Sequence, residues 1–232
     1  MNFDQFKCLS FDCYGTLIDW ETGISSSLNG IFYAHDVTTP QNVMLELFGK
    51  AEAEIESGPY RPYREVLKAV LVKIGDELDF QPSPDEFDSF STSVINWSAF
   101  PDASQTLLKL AAKYQLIILS NIDDDLFQYS QKLLGTNFDL VFTASQIGSY
   151  KPSRRNFEYL VEHAGVPRHE LLHVAQSLFR DIAPAKDMDL TTVWINRREG
   201  VAGFGATPSA EATPDATVPD LRSLAVLAGT MA

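Results

Sequence analysis

The fold of this chain is decided by residues 7–17, KCLSFDCYGTL. The first five of these residues form a short, mostly apolar run that predicts a buried β-strand. Asp12 follows the run directly, and Gly15 marks a turn beyond it. We therefore expect an acidic side chain at the carboxyl end of a strand, which is the edge where open α/β sheets bind their ligands.

Four more apolar runs follow, and segments with apolar residues at helical spacing separate them. The runs predict strands at 115–119, 140–143, 171–175 and 192–195. The separating segments predict helices at 103–114, 125–134, 153–164 and 181–188. Continuous apolar strands are typical of a parallel sheet that is covered on both faces. The alternation therefore predicts an α/β protein with a doubly wound, mainly parallel, Rossmann-like sheet.

A long helical interval interrupts this alternation after the first strand. Helices are predicted at 40–57, 63–74 and 85–94, with Gly and Pro residues at the breaks. We interpret residues 19–99 as a helical cap domain inserted into a core domain formed by residues 1–18 and 100–232. Such a cap would lie over the carboxyl ends of the strands. The tail at 200–218 is expected to wrap the core loosely before a short final helix.

The composition excludes several classes of function. The chain has 45% hydrophobic residues, enough for a real interior, and 18 basic against 31 acidic residues give a net charge of −13. That charge repels nucleic acid and anionic membranes. No apolar run reaches the ~18 residues that a membrane span needs, and a signal-peptide pattern is missing. We expect a cytoplasmic protein with no nucleic-acid or membrane partner, and with Cys8 and Cys13 buried and reduced.

Three later motifs fall in loops of the same alternating pattern. Ser120-Asn121 follows the second strand, Lys151 stands in a loop before a proline, and Asp181 opens the helix after the fourth strand. A carboxylate nucleophile must stay ionised, and a neighbouring ammonium group lowers its pKa while a hydroxyl and an amide orient its oxygens. Each motif alone could be an ordinary turn, and Asp181 could simply cap its helix. Together with Asp12 they predict a nucleophilic site.

Taken in order, these motifs resemble the L-2-haloacid dehalogenase (type II) branch of the haloacid dehalogenase-like hydrolases. The motifs are DCYGTL at 12–17, SN at 120–121, YKP at 150–152, QSLFRD at 176–181 and WINR at 194–197. The resemblance covers the chain from about residue 6 to 200. It implies that Asp12 is a nucleophile that forms an aspartyl ester, and that Lys151, Asp181 and Thr16 complete the catalytic group.

The resemblance also implies how the remaining motif residues act. Ser120 and Asn121 would bind a substrate carboxylate or orient the nucleophile, and Asp181 would pair with Lys151 or position the hydrolytic water. The predicted substrate-binding residues are Tyr14, Ser120, Asn121, Arg61, Arg64, Lys50, Gln176 and Ser177.

One residue expected from the resemblance is missing from the predicted cap. The branch usually supplies an arginine from its first long cap helix to receive the departing halide, and the matching position here is Gly49. Lys50 is one step away, and Arg61 and Arg64 could bind a carboxylate bidentately. The alternative for Arg61 and Arg64 is a solvated helix start. The four histidines show no ligand cluster and are expected to be structural.

The implied reaction is hydrolytic dehalogenation of a short 2-haloalkanoic acid to a 2-hydroxy acid, without a cofactor. Phosphatases of the superfamily typically carry a second Asp two residues after the nucleophile, where this chain has Tyr14. A phenol, with an ordinary pKa near ~10, is a poor proton donor at neutral pH. A halide leaves without a proton, so this substitution favours displacement at carbon.

Two other functions stay open at this point. One is a Mg²⁺-dependent small-molecule phosphatase, in which Asp12 and Asp181 would bind the metal. The other is a catalytically silent relative that binds organic acids. In all three cases the expected partner is a small anionic compound, and the sequence leaves a homodimer open.

Overall fold

A six-stranded parallel sheet lies at the centre of the described part of the protein, which is residues 1–231 of a computed structural model. The strands are β1 (Cys8–Phe11), β2 (Gln115–Ser120), β3 (Leu140–Thr143), β4 (Leu171–Ala175), β5 (Thr191–Ile195) and β6 (Ala216–Val218). They pair in the order β3-β2-β1-β4-β5-β6, and every pair is parallel. The predicted doubly wound α/β fold is therefore confirmed.

Ten α-helices accompany the sheet within residues 1–231. They are α1 (Trp20–Ala34), α2 (Gln41–Glu56), α3 (Tyr63–Glu77), α4 (Pro84–Thr92), α5 (Ala103–Ala111), α6 (Asp124–Leu134), α7 (Ala144–Ile147), α8 (Arg154–His163), α9 (Ala183–Lys186) and α10 (Leu221–Leu227). A π-helical turn, Leu178–Ile182, precedes α9. None of these helices is long and apolar enough to cross a membrane.

Three of these elements were not predicted, namely α1, the short helix α7 and β6. The sequence of α1 is rich in Gly, Ser and Thr, which are weak helix formers. The helix forms because the Asp19 side chain caps its first turn and because Trp20, Ile24 and Leu28 are buried on one face. The strand β6 is only three residues long, too short for local propensity to indicate it. It is stabilised by its pairing with β5.

The strand β1 occupies the middle of the sheet because it is apolar on both faces. All four of its residues are buried, and Leu9 lies opposite Leu116 on β2 and Leu172 on β4. Continuous burial of this kind is what a parallel strand covered by helices on both sides requires. The residue that follows β1 is therefore carried to the centre of the sheet's carboxyl edge.

The helices α1 to α4 form an insertion between β1 and β2, which we call the helical insertion (residues 19–99). The chain leaves and re-enters the core at one crossing, where Ile18 bridges Ala99 and the Asp19 N–H donates to the Ser98 carbonyl at 2.8 Å. The domain boundaries at 18/19 and 99/100 stay a prediction. A second contact between the core and the helical insertion is made by Asp123, which accepts a hydrogen bond from the N–H of Tyr63 at 2.8 Å.

The segment 198–207 joins the core to the helical insertion, and this differs from the loose wrapping of the core expected from its composition. Arg198 pairs with Glu21 on α1, and the Ala206 N–H donates to Glu21 at 3.1 Å. The same segment passes so close to α2 that a Cβ on Gly49 would lie 2.6 Å from the Ala206 carbonyl carbon. Gly49 is therefore a packing residue, because only a glycine leaves room for this backbone.

Candidate active site

Asp12 lies where β1 ends and the chain turns sharply. Its N–H donates to the Val174 carbonyl of β4 at 3.1 Å, so the sheet fixes its backbone. Gly15 then adopts a φ of +92°, and its N–H donates to the Ile18 carbonyl at 2.8 Å. A side chain at Gly15 would meet the Trp20 indole nitrogen at 2.9 Å. The turn thus depends on glycine, and it places the Asp12 side chain over the sheet edge.

Both oxygens of the Asp12 carboxylate are bound. The Lys151 Nζ donates to Oδ1 at 2.9 Å, and the Thr16 hydroxyl donates to Oδ2 at 2.7 Å. The Thr16 oxygen in turn accepts from the backbone N–H of Gln176 at 2.9 Å. The orientation of the carboxylate is therefore set from two sides before any ligand arrives.

The ammonium group of Lys151 has three protein partners. Besides Asp12, its Nζ donates to Asp181 Oδ1 at 2.6 Å and to the Leu119 carbonyl at 2.9 Å. An ammonium has three N–H donors, so these contacts use all of them. The side chain is only 1% exposed, which means that it acts on Asp12 without screening by bulk water.

Asn121 holds the backbone of Lys151 through a pair of hydrogen bonds. Its Oδ1 accepts from the Lys151 N–H at 2.7 Å, and its Nδ2 donates to the Lys151 carbonyl at 2.9 Å. The residue after β2 thereby fixes the loop before α8. Asn121 also approaches Glu56 of α2 at 3.3 Å, so it touches the helical insertion as well.

Asp181 is positioned by a histidine that was not predicted as a site residue. The His173 Nε2 lies 3.1 Å from Asp181 Oδ1, and its Nδ1 lies 2.9 Å from the Ser10 hydroxyl. A carboxylate oxygen only accepts, so Nε2 carries the proton in this contact. The expectation that His173 is merely structural missed this contact with the site. The available signal was its position inside the otherwise apolar run at 171–175.

The pKa values of Asp12 and Asp181 are shifted in opposite directions by their surroundings. Burial raises the pKa of Asp12, and Lys151 and Thr16 oppose that rise. Burial also disfavours the charged form of Asp181, but attraction to Lys151 and the hydrogen bond from His173 hold its pKa below the ordinary value. The pKa of Lys151 is raised, because attraction by both aspartates outweighs the effect of burial. The trio is thus held together as two carboxylates bridged by a permanent cation.

A second charged group lies opposite this trio, where Arg180 of the core meets two glutamates of the helical insertion. Arg180, in the π-helical turn, donates to Glu52 at 2.5 Å and to Glu56 at 3.3 Å, both on α2. It also donates to the Thr207 hydroxyl at 3.2 Å, and its guanidinium lies over the Trp20 ring at 5.7 Å. All three charged side chains are at least nine-tenths buried.

Burial changes the acidity of the two glutamates. It raises the pKa of Glu56 to about 8, even though Arg180 attracts the charged form, and Glu52 adds repulsion. Burial also raises the pKa of Glu52, against the attraction of Arg180 and a hydrogen bond from Tyr63. At neutral pH, therefore, Glu56 is largely a neutral acid beside a cationic arginine.

A narrow cavity separates the two charged groups. Its walls include Asp12, Ser120 and Asp181 on the core side and Glu56 and Arg180 on the other. The cavity has a volume of only about 20 Å³, which is room for about one water molecule. Three of the lining residues each carry a buried polar atom with no partner among the described residues, namely Glu56 Oε1, Ser120 Oγ and Asp181 Oδ2. Buried polar atoms of this kind call for a ligand or water.

Several predicted substrate-binding residues also reach this cavity. Tyr14 and Ser177 lie in its wall. The Tyr14 hydroxyl is paired with Ser130 at 2.8 Å, so the ring rather than the hydroxyl faces the ligand space. Gln176 contributes its backbone N–H to Thr16, whereas its side chain lies outside the cavity wall. Gln176 therefore supports the site through its backbone, and its side-chain Oε1 is buried without a partner among the described residues.

Three cations that were predicted to bind the substrate lie outside the wall of this cavity. Lys50 and Arg61 are exposed, and Arg64 pairs with Asp125 on the surface. Helical geometry explains this for Lys50, since adjacent residues on a helix point about 100° apart. Gly49 shares its face with residues 52 and 56, at i+3 and i+7, which are the two glutamates. That spacing was the signal that could have identified them.

The donors available to Mg²⁺ at this centre are sparse. Lys151 occupies one oxygen of Asp12 and one of Asp181, and Thr16 occupies the second oxygen of Asp12. Asp181 Oδ2 is the remaining carboxylate oxygen of the pair, whereas Mg²⁺ prefers near-octahedral coordination by oxygen. No group of three or more His, Cys, Asp or Glu side chains with metal-binding spacing occurs in residues 1–231. The fit to a resident Mg²⁺ is poor.

Comparison with known proteins gives a consistent family. The family model for haloacid dehalogenase-like hydrolases matches residues 6–189. The (S)-2-haloacid dehalogenase 4A of Burkholderia cepacia is 25% identical over 203 residues, which is 84% of this chain and 85% of that protein. A shorter match, 32% identical over 73 residues, links 31% of the chain to 32% of the pyrimidine 5'-nucleotidase YjjG of Escherichia coli.

The fold is shared with solved structures. The L-2-haloacid dehalogenase of Xanthobacter autotrophicus superposes with a TM-score of 0.79 at 24% identity. The superposition covers 98% of this chain and the whole of that one. This likeness extends over the sheet and the helical insertion together, so it supports the same architecture for both.

Proposed function

Because this chain belongs to the haloacid dehalogenase-like hydrolases, we propose that it is a hydrolase that removes halide from short 2-haloalkanoic acids through an aspartyl ester on Asp12. The Asp12 carboxylate carries this proposal: it is buried, held by Lys151 and Thr16, and faces a cavity of small size. The (S)-2-haloacid dehalogenase that resembles the chain over most of its length supports the same chemistry.

The first step is displacement at carbon. An Asp12 oxygen attacks Cα of the 2-halo acid, the new C–O bond forms, and the halide leaves with the electron pair of the C–halogen bond. Attack from the side opposite the halide inverts the configuration at Cα. Lys151 favours the ionised nucleophile, and Thr16 orients it, so that little reorganisation is needed at the moment of attack.

The second step is hydrolysis of the ester. Water attacks the ester carbonyl, the hydroxy acid departs, and Asp12 is regenerated as a carboxylate. The free Oδ2 of Asp181 lies on the cavity wall, where it can orient this water and accept its proton. The balance is one 2-halo acid and one water converted to one 2-hydroxy acid, one halide ion and one proton.

The surroundings of Tyr14 favour a halide over an alcohol as leaving group. Burial raises the pKa of its phenol well above the ordinary value, and the hydroxyl is bound to Ser130. Such a group does not donate a proton at neutral pH. Release of an alcohol from a phosphate ester would need that proton, whereas release of halide does not.

The test is halide release from L- and D-2-halo acids, measured in EDTA and in Mg²⁺, for the wild type and for Asp12→Asn. We expect release in EDTA that the substitution abolishes. A single turnover in H₂¹⁸O should place ¹⁸O in Asp12, because water attacks the ester carbonyl. Absence of halide release from every acid would contradict the dehalogenase proposal.

The phosphatase alternative is tested beside it. The Escherichia coli relative is named a pyrimidine 5'-nucleotidase, and this favours phosphate esters as the second substrate class. Hydrolysis of p-nitrophenyl phosphate that requires Mg²⁺ would support that alternative. Thermal stabilisation by organic acids without any turnover would instead support a silent binding protein.

A further inference from the structure

We propose that Glu56 contacts the substrate through its Oε1 and supplies the proton of a hydrogen bond to the substrate's carboxylate. This inference rests on the proposed function, since it takes the substrate to be a small organic acid. It gives α2 a role in binding the substrate carboxylate, which differs from the halide-binding role expected of an arginine at position 49.

The geometry places Glu56 at the ligand space. Its Oε2 is held by Arg180 and by Asn121, each at 3.3 Å, whereas its Oε1 is buried with no partner among the described residues. The side chain is 3% exposed and forms part of the wall that faces Asp12. One oxygen is thus anchored and the other is free to meet a ligand.

The charge of the cavity requires a proton near this position. Lys151 and Arg180 are its cations, and its carboxyl groups are Asp12, Asp181, Glu52 and Glu56. With every group ionised the site would carry a net charge of −2, from two cations and four anions. A proton on Glu56 reduces this charge to −1, from two cations and three anions, and so weakens the repulsion of a carboxylate ligand.

The neighbours of Glu56 decide how it titrates. On its own helix it faces Glu52; from the core it faces Arg180 and Asn121; and Tyr63 of α3 and Tyr150 lie close enough to feel its charge. Burial dominates these influences and raises the pKa of Glu56 to about 8. The group is therefore a hydrogen-bond donor below that pH and an anion above it.

Donors next to Glu56 complete a cradle for a carboxylate. A guanidinium carries five N–H groups, and three of those on Arg180 are engaged by Glu52, Glu56 and Thr207. The remaining N–H groups of Arg180, the Glu56 hydroxyl and the free Ser120 hydroxyl supply donors for both oxygens of a ligand carboxylate.

The experiment measures binding of propionate and L-lactate by calorimetry between pH 6.5 and 9.5, with propionamide as the uncharged comparison. For the wild type we expect the Kd of both acids to rise above pH 8, approaching roughly tenfold per pH unit, because binding needs the protonated glutamate. Glu56→Gln keeps a neutral donor, so its Kd should be within a few-fold of the wild type at low pH and flat with pH. Glu54→Gln, on the exposed side of α2, is the matched control and should keep the wild-type profile.

The outcomes separate this inference from the proposed function. A wild-type Kd that is the same at pH 6.5 and 9.5, a pH dependence that survives in Glu56→Gln, or no binding of either acid at any pH would each overturn the role of Glu56. Halide release is measured separately, so its absence together with pH-dependent binding would sink the dehalogenase proposal and leave this inference standing. The wild-type profile needs no variant, which keeps the test valid if Glu56→Gln fails to fold.

Discussion

The two walls of the cavity use charge in opposite ways. On the core side Lys151 sits between Asp12 and Asp181 with all its donors used, so the wall is rigid and nearly complete. On the side of the helical insertion Arg180 sits between two glutamates, one of which keeps a free oxygen. Under the proposed function, chemistry and recognition are therefore separated: the core wall fixes the nucleophile, and the opposite wall binds the substrate through a glutamate that can change its protonation state.

The origin of each wall explains this difference. The core wall is built mainly at strand ends, since Asp12 follows β1 and Ser120 ends β2, whereas Asp181 belongs to the π-helical turn that also carries Arg180. The other wall depends on one face of α2 and on a π-helical turn, a feature that is frequent at functional sites. Changes in the core wall should therefore alter the rate of reaction, and changes in the opposite wall should alter binding.

Asp12→Asn is expected to have the largest effect. The amide is not a nucleophile, so halide release should fall by on the order of 10⁴-fold or more. Asp76→Asn, exposed on α3, is the control and should retain the wild-type rate. The measurement is the initial rate of halide release at saturating acid. A variant Asp12→Asn with more than a few per cent of the rate would show that the core wall does not provide the nucleophile.

Lys151→Met should come next. Removal of a buried cation leaves two unpaired carboxylates, so we expect a loss of roughly 3 kcal/mol or more in the free energy of unfolding and a fall in kcat of about 10²-fold or more. Without the ammonium the pKa of Asp12 rises further. When the solution is acidified, the variant should therefore lose activity at a higher pH than the wild type does. Urea denaturation and a rate profile from pH 5 to 8 measure both effects. Lys50→Met, on the exposed face of α2, should change neither.

Arg180→Met tests the opposite wall. We expect KM for the organic acid to rise by roughly 10 to 100-fold with a smaller change in kcat, because in the proposed carboxylate site the guanidinium contacts the ligand rather than the nucleophile. Arg64→Met is the matched control, since its side chain pairs with Asp125 at the surface. Exposed ion pairs contribute little, so this control should leave KM within about twofold. A fall in kcat with KM unchanged would mean that both walls serve the chemical step.

Gly49→Ala should have the smallest catalytic effect and a clear effect on stability. The new Cβ would meet the Ala206 carbonyl carbon at 2.6 Å, so the segment 198–207 must move, at a cost of about 1–3 kcal/mol. Gly30→Ala in α1 meets nothing within 4 Å and should instead stabilise by up to about 1 kcal/mol. Equal midpoints of urea denaturation for the two variants would contradict the close packing at Gly49.

The core wall was largely predictable from the sequence. Asp12, Asn121, Lys151 and Asp181 each fall in a loop after a predicted strand or beside one, and the parallel sheet brings such loops to one edge. Local sequence patterns are sufficient here, because the order of strands and loops alone determines which loops lie at the carboxyl edge of the sheet. The same reasoning could not say that Asn121 would hold the Lys151 backbone, which depends on the conformation of the loop before α8.

The wall on the helical insertion was not predictable in the same way. The cation of this wall is Arg180, which belongs to the core, whereas the predicted cations belong to the cap. Glu52 and Glu56 hold Arg180 in place, and these contacts join residues 124 or more positions apart. The spacing from Gly49 could have identified the two glutamates, but their contacts with Arg180 follow only from the packing of α2 against the sheet edge.

The order of the strands has a consequence for how the chain is made. The strand β1 is flanked by β2 and β4, with Cys8 opposite Gln115 and Leu171. At a synthesis rate of ~5–20 residues per second, β1 leaves the ribosome roughly 5–20 s before β2 does. During that time an apolar strand has no partner of its own and is open to pairing with another nascent chain. Added chaperone should therefore raise the soluble yield, and the segment most in need of protection is the one that ends at Asp12.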